Sequence, residues 1–430
     1  MSFRGKIWVI AFSVVVATYA FVGGLLSPWT QAQQPINDSG AQIRIFESVL
    51  QHIQNDYVDE PNLEKVRYGA LRGLVGGLDP YSSYLTAEQV AEFNAAKNSK
   101  KVGIGAEFSQ VSLYLYVVSV VNGSTAEKAG LKAGDVIEYI ENKATRDISL
   151  YDAKQMIAGD PGTSVTVRVL RAGAKPQTLK IPRGEYKKPP VESRVEPGKI
   201  GVIKMYSLDQ GEAASVREQV ESLKKQGVEK MVLDLRGVAT GTLDEAVAVA
   251  NLFIKQGDLA KVIGRDGKVS KTFTADPSKT VFDGKLNVVI DLGTAGPGEV
   301  IAAAVADSKR GEVVGEKSFG AGTEQQLFTL TAGDGLLLTV AKWASPSGVT
   351  FLGNDRTSTG VKPTVEVKRP DTPEPVEVEE LIDQQDQQNQ NPQPTPTPAA
   401  KPEPKPAAED LQMKKAIELL QEKAQAAKAG

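Results

Sequence analysis

Residues 288–328, VVIDLGTAGPGEVIAAAVADSKRGEVVGEKSFGAGTEQQLF, constrain this chain more than any other stretch. Val288, Val289 and Ile290 form a short β-branched run of the kind that makes a buried strand. TAGPG at 294–298 breaks that run with turn residues, and 299–306 continues in good helix formers. The pattern predicts a strand, a sharp glycine-rich turn, a helix and a second strand. Such a turn exposes one side chain at a helix N-terminus, where backbone N–H groups hold a developing oxyanion, and α/β enzymes keep a nucleophile there. The exposed position is Gly298, which has no side chain to attack with.

Composition removes most other chemistries. The chain has 430 residues, a net charge of −3, no cysteine and one histidine, His52. Thiol catalysis, disulfides and cysteine-ligated metal are excluded, and the charge offers no footprint for nucleic acid. A histidine triad or a multi-histidine metal site would need His52, which falls in an amphipathic helix far from the turn, so no metal and no cofactor is expected.

The expected architecture is a multidomain α+β or α/β chain: an N-terminal helical cap, a small peptide-binding domain and an α/β core with a mixed sheet. In residues 1–34, Arg4 and Lys6 precede an uncharged apolar run from Ile7 to Leu26, the pattern of an export signal, either cleaved or kept as a membrane anchor. From 41 to 98, Ile43, Phe46, Val49, Leu50, Ile53, Val66, Leu71 and Leu74 recur at helical spacing; these helices either pack on the core or form a dimer contact. A proline-containing stretch at 189–197 reads as a hinge. Strands alternating with helices over 190–368 argue for a sheet whose working loops lie at the strand C-termini. Residues 370–408 are rich in Pro, Gln and acidic residues and read as a disordered linker. Helical spacing returns at 409–428.

Residues 101–185 resemble a PDZ domain. VGIGAEF at 102–108 joins a glycine-rich loop to a strand, and STAEKAGLKAGDVI at 124–137 carries the helix-then-strand signature. Converging loop N–H groups would take a peptide carboxylate and the strand edge its backbone. The peptide-binding candidates are Gly103, Ile104, Gly105, Ala106 and Phe108 on one side, with Leu150, Ala153, Met156 and Ile157 from 149–158 on the other. The partners implied are protein C-termini or unfolded polypeptides; a module retained without binding is the alternative.

The elbow and its surroundings resemble the C-terminal (tail-specific) processing serine peptidases, whose elbow reads SASASE with the last serine as nucleophile. Here Thr294, Gly296 and Gly298 stand where that family has serines. The family's GEKTFGKGxxQ carries the general-base lysine and an orienting glutamine. GEKSFGAGTEQ at 315–325 keeps Gln325 but has Ala321 at the lysine position. LDPYSSYLT at 78–86, DLR at 234–236, SPSG at 345–348 and GVKPTVE at 360–366 are similar to further family motifs. The family's oxyanion loop reads NNPG where this chain has GVAT at 237–240, which places the oxyanion region at Gly237, Gly241 and Glu299.

The resemblance implies a serine-lysine dyad, and both members are replaced at matching positions. A hydroxyl without a nearby amine, or the reverse, forfeits the activation that the dyad requires. The expected function is therefore an exported pseudopeptidase that binds chain ends as an adaptor or regulator, alone, as a homodimer, or with an active relative. Two alternatives stand beside it. One is a peptidase with a relocated dyad drawn from Thr294, Lys317 and Ser318; the other is a structural envelope protein. Asp234 and Arg236 read as a loop-anchoring ion pair.

Overall fold

The computed structural model describes residue 18 and residues 39–96, 99–354, 358–369 and 409–429. The 370–408 segment and, apart from Thr18, the N-terminal apolar run lie outside the described residues. Among the described residues no helix is long and apolar enough to cross a membrane. The chain divides into two compact units, Met1–Ala70 and Leu71–Gly430. In the first, helix Ser39–Asp56 buries none of its residues, and Ile43, Ile45, Phe46, Val49 and Leu50 are exposed. His52 lies on the same helix, exposed, with Nδ1 2.6 Å from Asp56 Oδ2.

The second unit takes in the end of helix Leu63–Gly76, then β1 (Ser83–Leu85) and helix Ala87–Ala95, so the 41–98 segment is not helical throughout. The β1 strand pairs antiparallel with Gly335–Ala344, which also pairs with Thr323–Thr329 and Asp258–Ile263. The PDZ sheet follows, in the order β2 (Ala106–Val111), β3 (Tyr114–Val120), Val136–Ile140, Ser164–Leu170 and Gln177–Pro182. Period-two alternation explains its sidedness: Val165, Val167 and Val169 are buried, with Thr166 and Arg168 between them half-buried on the other face. Helix α1 (Leu150–Ile157) closes that core, and a capping box at Ser149 and Asp152 sets its start.

The core sheet runs Val365–Glu366, Gly311–Gly315, β5 (Lys285–Ile290), β4 (Lys230–Asp234) and Ile200–Lys204, all parallel. An antiparallel edge strand, Glu192–Glu196, completes it. This strand replaces the hinge expected at 189–197; its alternating charges suit an edge that faces water. Both faces of the sheet are covered, which is why β4 and β5 read as continuous apolar runs. Met231, Leu233, Val288 and Ile290 pack with helix Leu243–Asn251 and with α2 (Pro297–Asp307). Val232, Val289 and Val314 pack against Met413, Ala416 and Leu420 of α3 (Leu411–Ala429) on the opposite face. Leu233 pairs with Val288 and Asp234 with Val289, so the loop after β4 and the elbow after β5 emerge side by side.

Candidate functional site

The elbow forms where the sequence places it. Asp291 follows the last residue of β5, Gly296 turns the chain at φ +49°, and Pro297 opens α2 with Gly298 next. A Cβ on Gly298 would stand 2.7 Å from the Val238 carbonyl oxygen and 2.9 Å from the Thr294 methyl carbon. That carbonyl is fixed, because it accepts from the Ala295 N–H at 2.9 Å. The loop at 237–240 therefore fills the volume that a nucleophile would occupy.

Nearby oxyanion donors are engaged as well. The Gly298 N–H donates to Ala295 O at 3.1 Å, the Val238 N–H to Leu235 O at 3.0 Å, and the Gly237 N–H to Asp291 Oδ1 at 3.0 Å. Gly241 sits at φ +132°, where a Cβ would strike the Leu208 backbone at 2.2 Å, so it serves chain passage and only glycine fits.

Glu299, expected in the oxyanion region, is a fully buried carboxylate that ties the elbow to the segment carrying the family base position. Oε2 accepts from the Gly296 and Ala321 N–H groups at 2.7 and 2.8 Å, and Oε1 from the Gly320 N–H and Ser318 Oγ at 2.7 and 2.5 Å. It is an acceptor and offers nothing to an oxyanion. Burial pushes its carboxyl up to about 7, while the four donations favour its charged form.

The relocated candidates are placed as follows. Thr294 is fully buried, its hydroxyl accepting from the Asp291 N–H at 3.0 Å and donating to Leu235 O at 3.0 Å. Ser318 is 2% exposed; its hydroxyl accepts from the Val361 N–H at 2.7 Å and donates to Glu299. Lys317 is half-buried. Gln325 lies exposed on strand Thr323–Thr329 and donates to the Thr323 and Thr339 hydroxyls at 2.6 and 3.4 Å.

The PDZ domain rests on this region. Tyr116 and Val118 of β3, with Val136 and Leu170, form a buried cluster with Ala295, against which Ala239, Phe319 and Ala321 pack. The Tyr116 and Phe319 rings stack at 5.6 Å, 20° from parallel. Ala321, at the family base position, thus belongs to an apolar seam.

Behind the elbow lies a chain of ion pairs. Asp234 meets Arg236 through Nε at 2.9 Å and Nη2 at 2.8 Å, and Lys204 at 3.2 Å. Burial alone would raise Asp234, but Arg236 and Lys204 hold it below the usual carboxylate range. Arg236 reaches on to both oxygens of Asp410 at 2.8 Å, and Arg369 joins Asp291 at 3.2 Å to Glu316 at 3.1 Å.

In the PDZ groove, Ile104, Phe108, Leu150, Ala153 and Ile157 all fall in one buried cluster, with Ala106 and Met156 packed against it. They make up the apolar core that joins β2 to α1. The carbonyls of Gly103, Ile104 and Gly105 accept from Gly184, Ala126 and Val121; among the described residues no acceptor takes the Ile104 or Gly105 N–H. Lys154 on α1 reaches across to Glu107 on β2. Tyr81 lies beside Ser109 of β2, accepting from its Oγ at 3.3 Å, and burial pushes the Tyr81 hydroxyl well above its usual range.

Sequence reasoning missed Val238, Tyr116, Phe319, Arg369 and Lys154. The one available signal was GVAT at 237–240, because a loop that departs from its relatives' pattern beside an emptied site marks where the space has gone.

Comparison with known proteins identifies the family to which both domains are similar. Peptidase family S41 matches residues 199–367, and a PDZ domain matches residues 116–171. The chain is 32% identical over 365 residues to the probable CtpA-like serine protease of Staphylococcus aureus (strain MRSA252), covering 84% of this chain and 71% of that one. It is 30% identical over 368 residues to the carboxy-terminal processing protease CtpA of Bacillus subtilis (strain 168), covering 85% and 77%. Among solved structures it is similar to the photosystem II D1 C-terminal processing protease, with 28% identity and a TM-score of 0.63 over 75% of this chain and 86% of that one.

Proposed function

The chain belongs to the C-terminal processing peptidases with a PDZ domain, and on that premise we propose that it is a pseudopeptidase that captures protein C-termini without cleaving them. The observation that carries this reading is the Val238 carbonyl 2.7 Å from where a Cβ on Gly298 would stand. Alanine at 321 removes the amine, and removing one member of a catalytic unit already forfeits nearly all of its rate enhancement. The buried, bonded hydroxyls of Thr294 and Ser318 support the same reading, since a nucleophile must reach substrate.

The groove between β2 and α1 is the working part. Its glycine loop offers N–H donors to a carboxylate and the core that joins its walls is apolar, so tails with an apolar last residue are the ligands. The N-terminal apolar run carries the protein out of the cytoplasm, where it serves as adaptor or regulator.

Purified protein is incubated with apolar-tailed polypeptides and a serine-directed acylating probe, and the same tails, free and amidated, are titrated against it. Intact substrates, no labelling and weaker binding of amidated tails are expected. Cleavage abolished by Thr294→Ala or Lys317→Ala would install the relocated dyad instead. Failure of every tail to bind would leave the structural reading.

A further inference from the structure

Parallel strands have two ends, and the elbow uses one. At the other end, where β4 and β5 begin, lies a cleft of about 830 Å³ lined by Lys230, Lys285, Leu420 of α3, and Lys309 and Arg310 just past α2. Lys230 and Lys285 are register partners on adjacent strands, so their Cα atoms stand about 4.8 Å apart. Alternation sends both side chains to the face that α3 covers, two residues before Val232 and Asn287, which meet that helix. Both lysines are half-buried, and among the described residues neither ammonium has a hydrogen-bond or ion-pair partner.

The surroundings do not neutralise this pair. Arg310 precedes Gly311, the register partner of Leu286, and so stands level with Lys285 as a third cation. Its guanidinium donates to the carbonyls of Phe253, Phe282 and Gly284 at 2.8, 3.3 and 2.6 Å. The lining acids are engaged elsewhere or stand apart. Asp283 lies 3.1 Å from Lys255, Glu312 accepts from the Thr364 hydroxyl at 2.8 Å, and Glu229 is exposed. Like charges directly opposite on neighbouring strands repel, and partial burial sharpens the repulsion. One carboxylate would neutralise one ammonium, whereas a phosphate dianion neutralises both, and two lysines one strand spacing apart both reach its oxygens. The volume suits a small molecule, and Leu286, Ala306 and Leu420 give the rest of it an apolar wall. We propose that this cleft holds a small molecule by a phosphate dianion clamped between Lys230 and Lys285. The site lies at the opposite end of the sheet from the elbow and does not depend on tail capture.

The test is isothermal titration calorimetry of the full chain at constant ionic strength, with inorganic phosphate, glycerol 3-phosphate, and acetate as a monoanion. Both phosphates are expected to bind saturably, and acetate is not. Lys230→Met and Lys285→Met should each weaken glycerol 3-phosphate about tenfold, the scale of a hydrogen bond to a charged group. The double variant, relieved of the repulsion, should melt at or above the wild type when no phosphate is present. Lys271→Met, on strand Val269–Thr274 outside the cleft, should leave binding unchanged. A phosphomonoester loses its second proton near pH 6, so affinity should fall about tenfold from about pH 7.5 to 5. Binding of inorganic phosphate without glycerol 3-phosphate would reveal a free-ion site and overturn the small-molecule ligand. Equal binding of acetate, or undiminished phosphate binding in either single variant, would overturn the clamp.

Discussion

The carbonyl oxygen of Val238 stands 2.7 Å from the point where a side chain on Gly298 would begin, held there by the Ala295 N–H at 2.9 Å. Position 298 and the loop opposite it meet at this point. Gly298→Ser is therefore expected to push against backbone as well as flexible side-chain atoms, lowering stability by about 1–3 kcal/mol, the usual cost of overpacking. Adding Ala321→Lys should yield no turnover while 237–240 keeps its present course. A thermal melt together with acylating-probe labelling checks both statements. Rapid labelling of the double variant would show that the loop yields more readily than its hydrogen bonds imply.

Ala321 lies in the seam where Tyr116 stacks on Phe319. Ala321→Lys would press an ammonium against Tyr116 and Val118, and an unpaired charge is costly there. The expected result is a PDZ domain less firmly seated on the core, read as faster amide exchange across Tyr114–Val120. Phe319→Ala should act in the same direction, losing about 1–3 kcal/mol for a half-buried ring. If both variants keep wild-type exchange in β3, the seam does not hold the two domains together.

Much of this was legible in the residues, and the illegible part has a physical character. The elbow could be read because glycine and proline punctuate a β-branched run and a helix, which are local signals. The coverage of β4 on both faces could be read because Met231, Val232 and Leu233 are all apolar. The direction of one carbonyl, Val238 O, is written in no residue type, since any side chain tolerates it. The Tyr116–Phe319 stack joins residues 203 positions apart, beyond any periodicity. The strand Glu192–Glu196 read as a hinge because an edge strand keeps polar residues on both faces.

Glu299 should set a slope of stability against pH. Its carboxyl titrates at about 7 in the folded chain and near 4.3 when unfolded, so between these values the folded state binds more protons. The stability this group contributes is fully present below about pH 4.3 and is lost as pH rises through 7. Glu299→Gln lacks the titration, so the wild-type advantage over it should shrink by on the order of 1–3 kcal/mol between pH 5 and 8. Urea midpoints of both proteins across that range give the comparison. Parallel curves would mean that the four donors keep Glu299 charged throughout, outweighing its burial.

The helix that follows the 370–408 segment should depend on one arginine. Arg236 forks onto buried Asp234 and, at 2.8 Å, onto both oxygens of Asp410 just before α3, whose Met413, Ala416 and Leu420 cover Val202, Val232 and Val289. Arg236→Ala would leave Asp234 with Lys204 alone at 3.2 Å, and removing one partner of a buried pair costs about 3–5 kcal/mol. Arg236→Lys should recover less than half of that, because an ammonium cannot satisfy two carboxylates in a planar fork. The denaturation midpoint measures the loss, and hydrogen exchange in α3 shows where it falls. With Asp410 unclamped, the amides of α3 should exchange faster than those of β4 and β5 under conditions where the rest of the sheet stays protected. If the midpoint drops while α3 keeps its protection, the apolar contacts alone seat the helix, and the ion pairs serve only to neutralise Asp234.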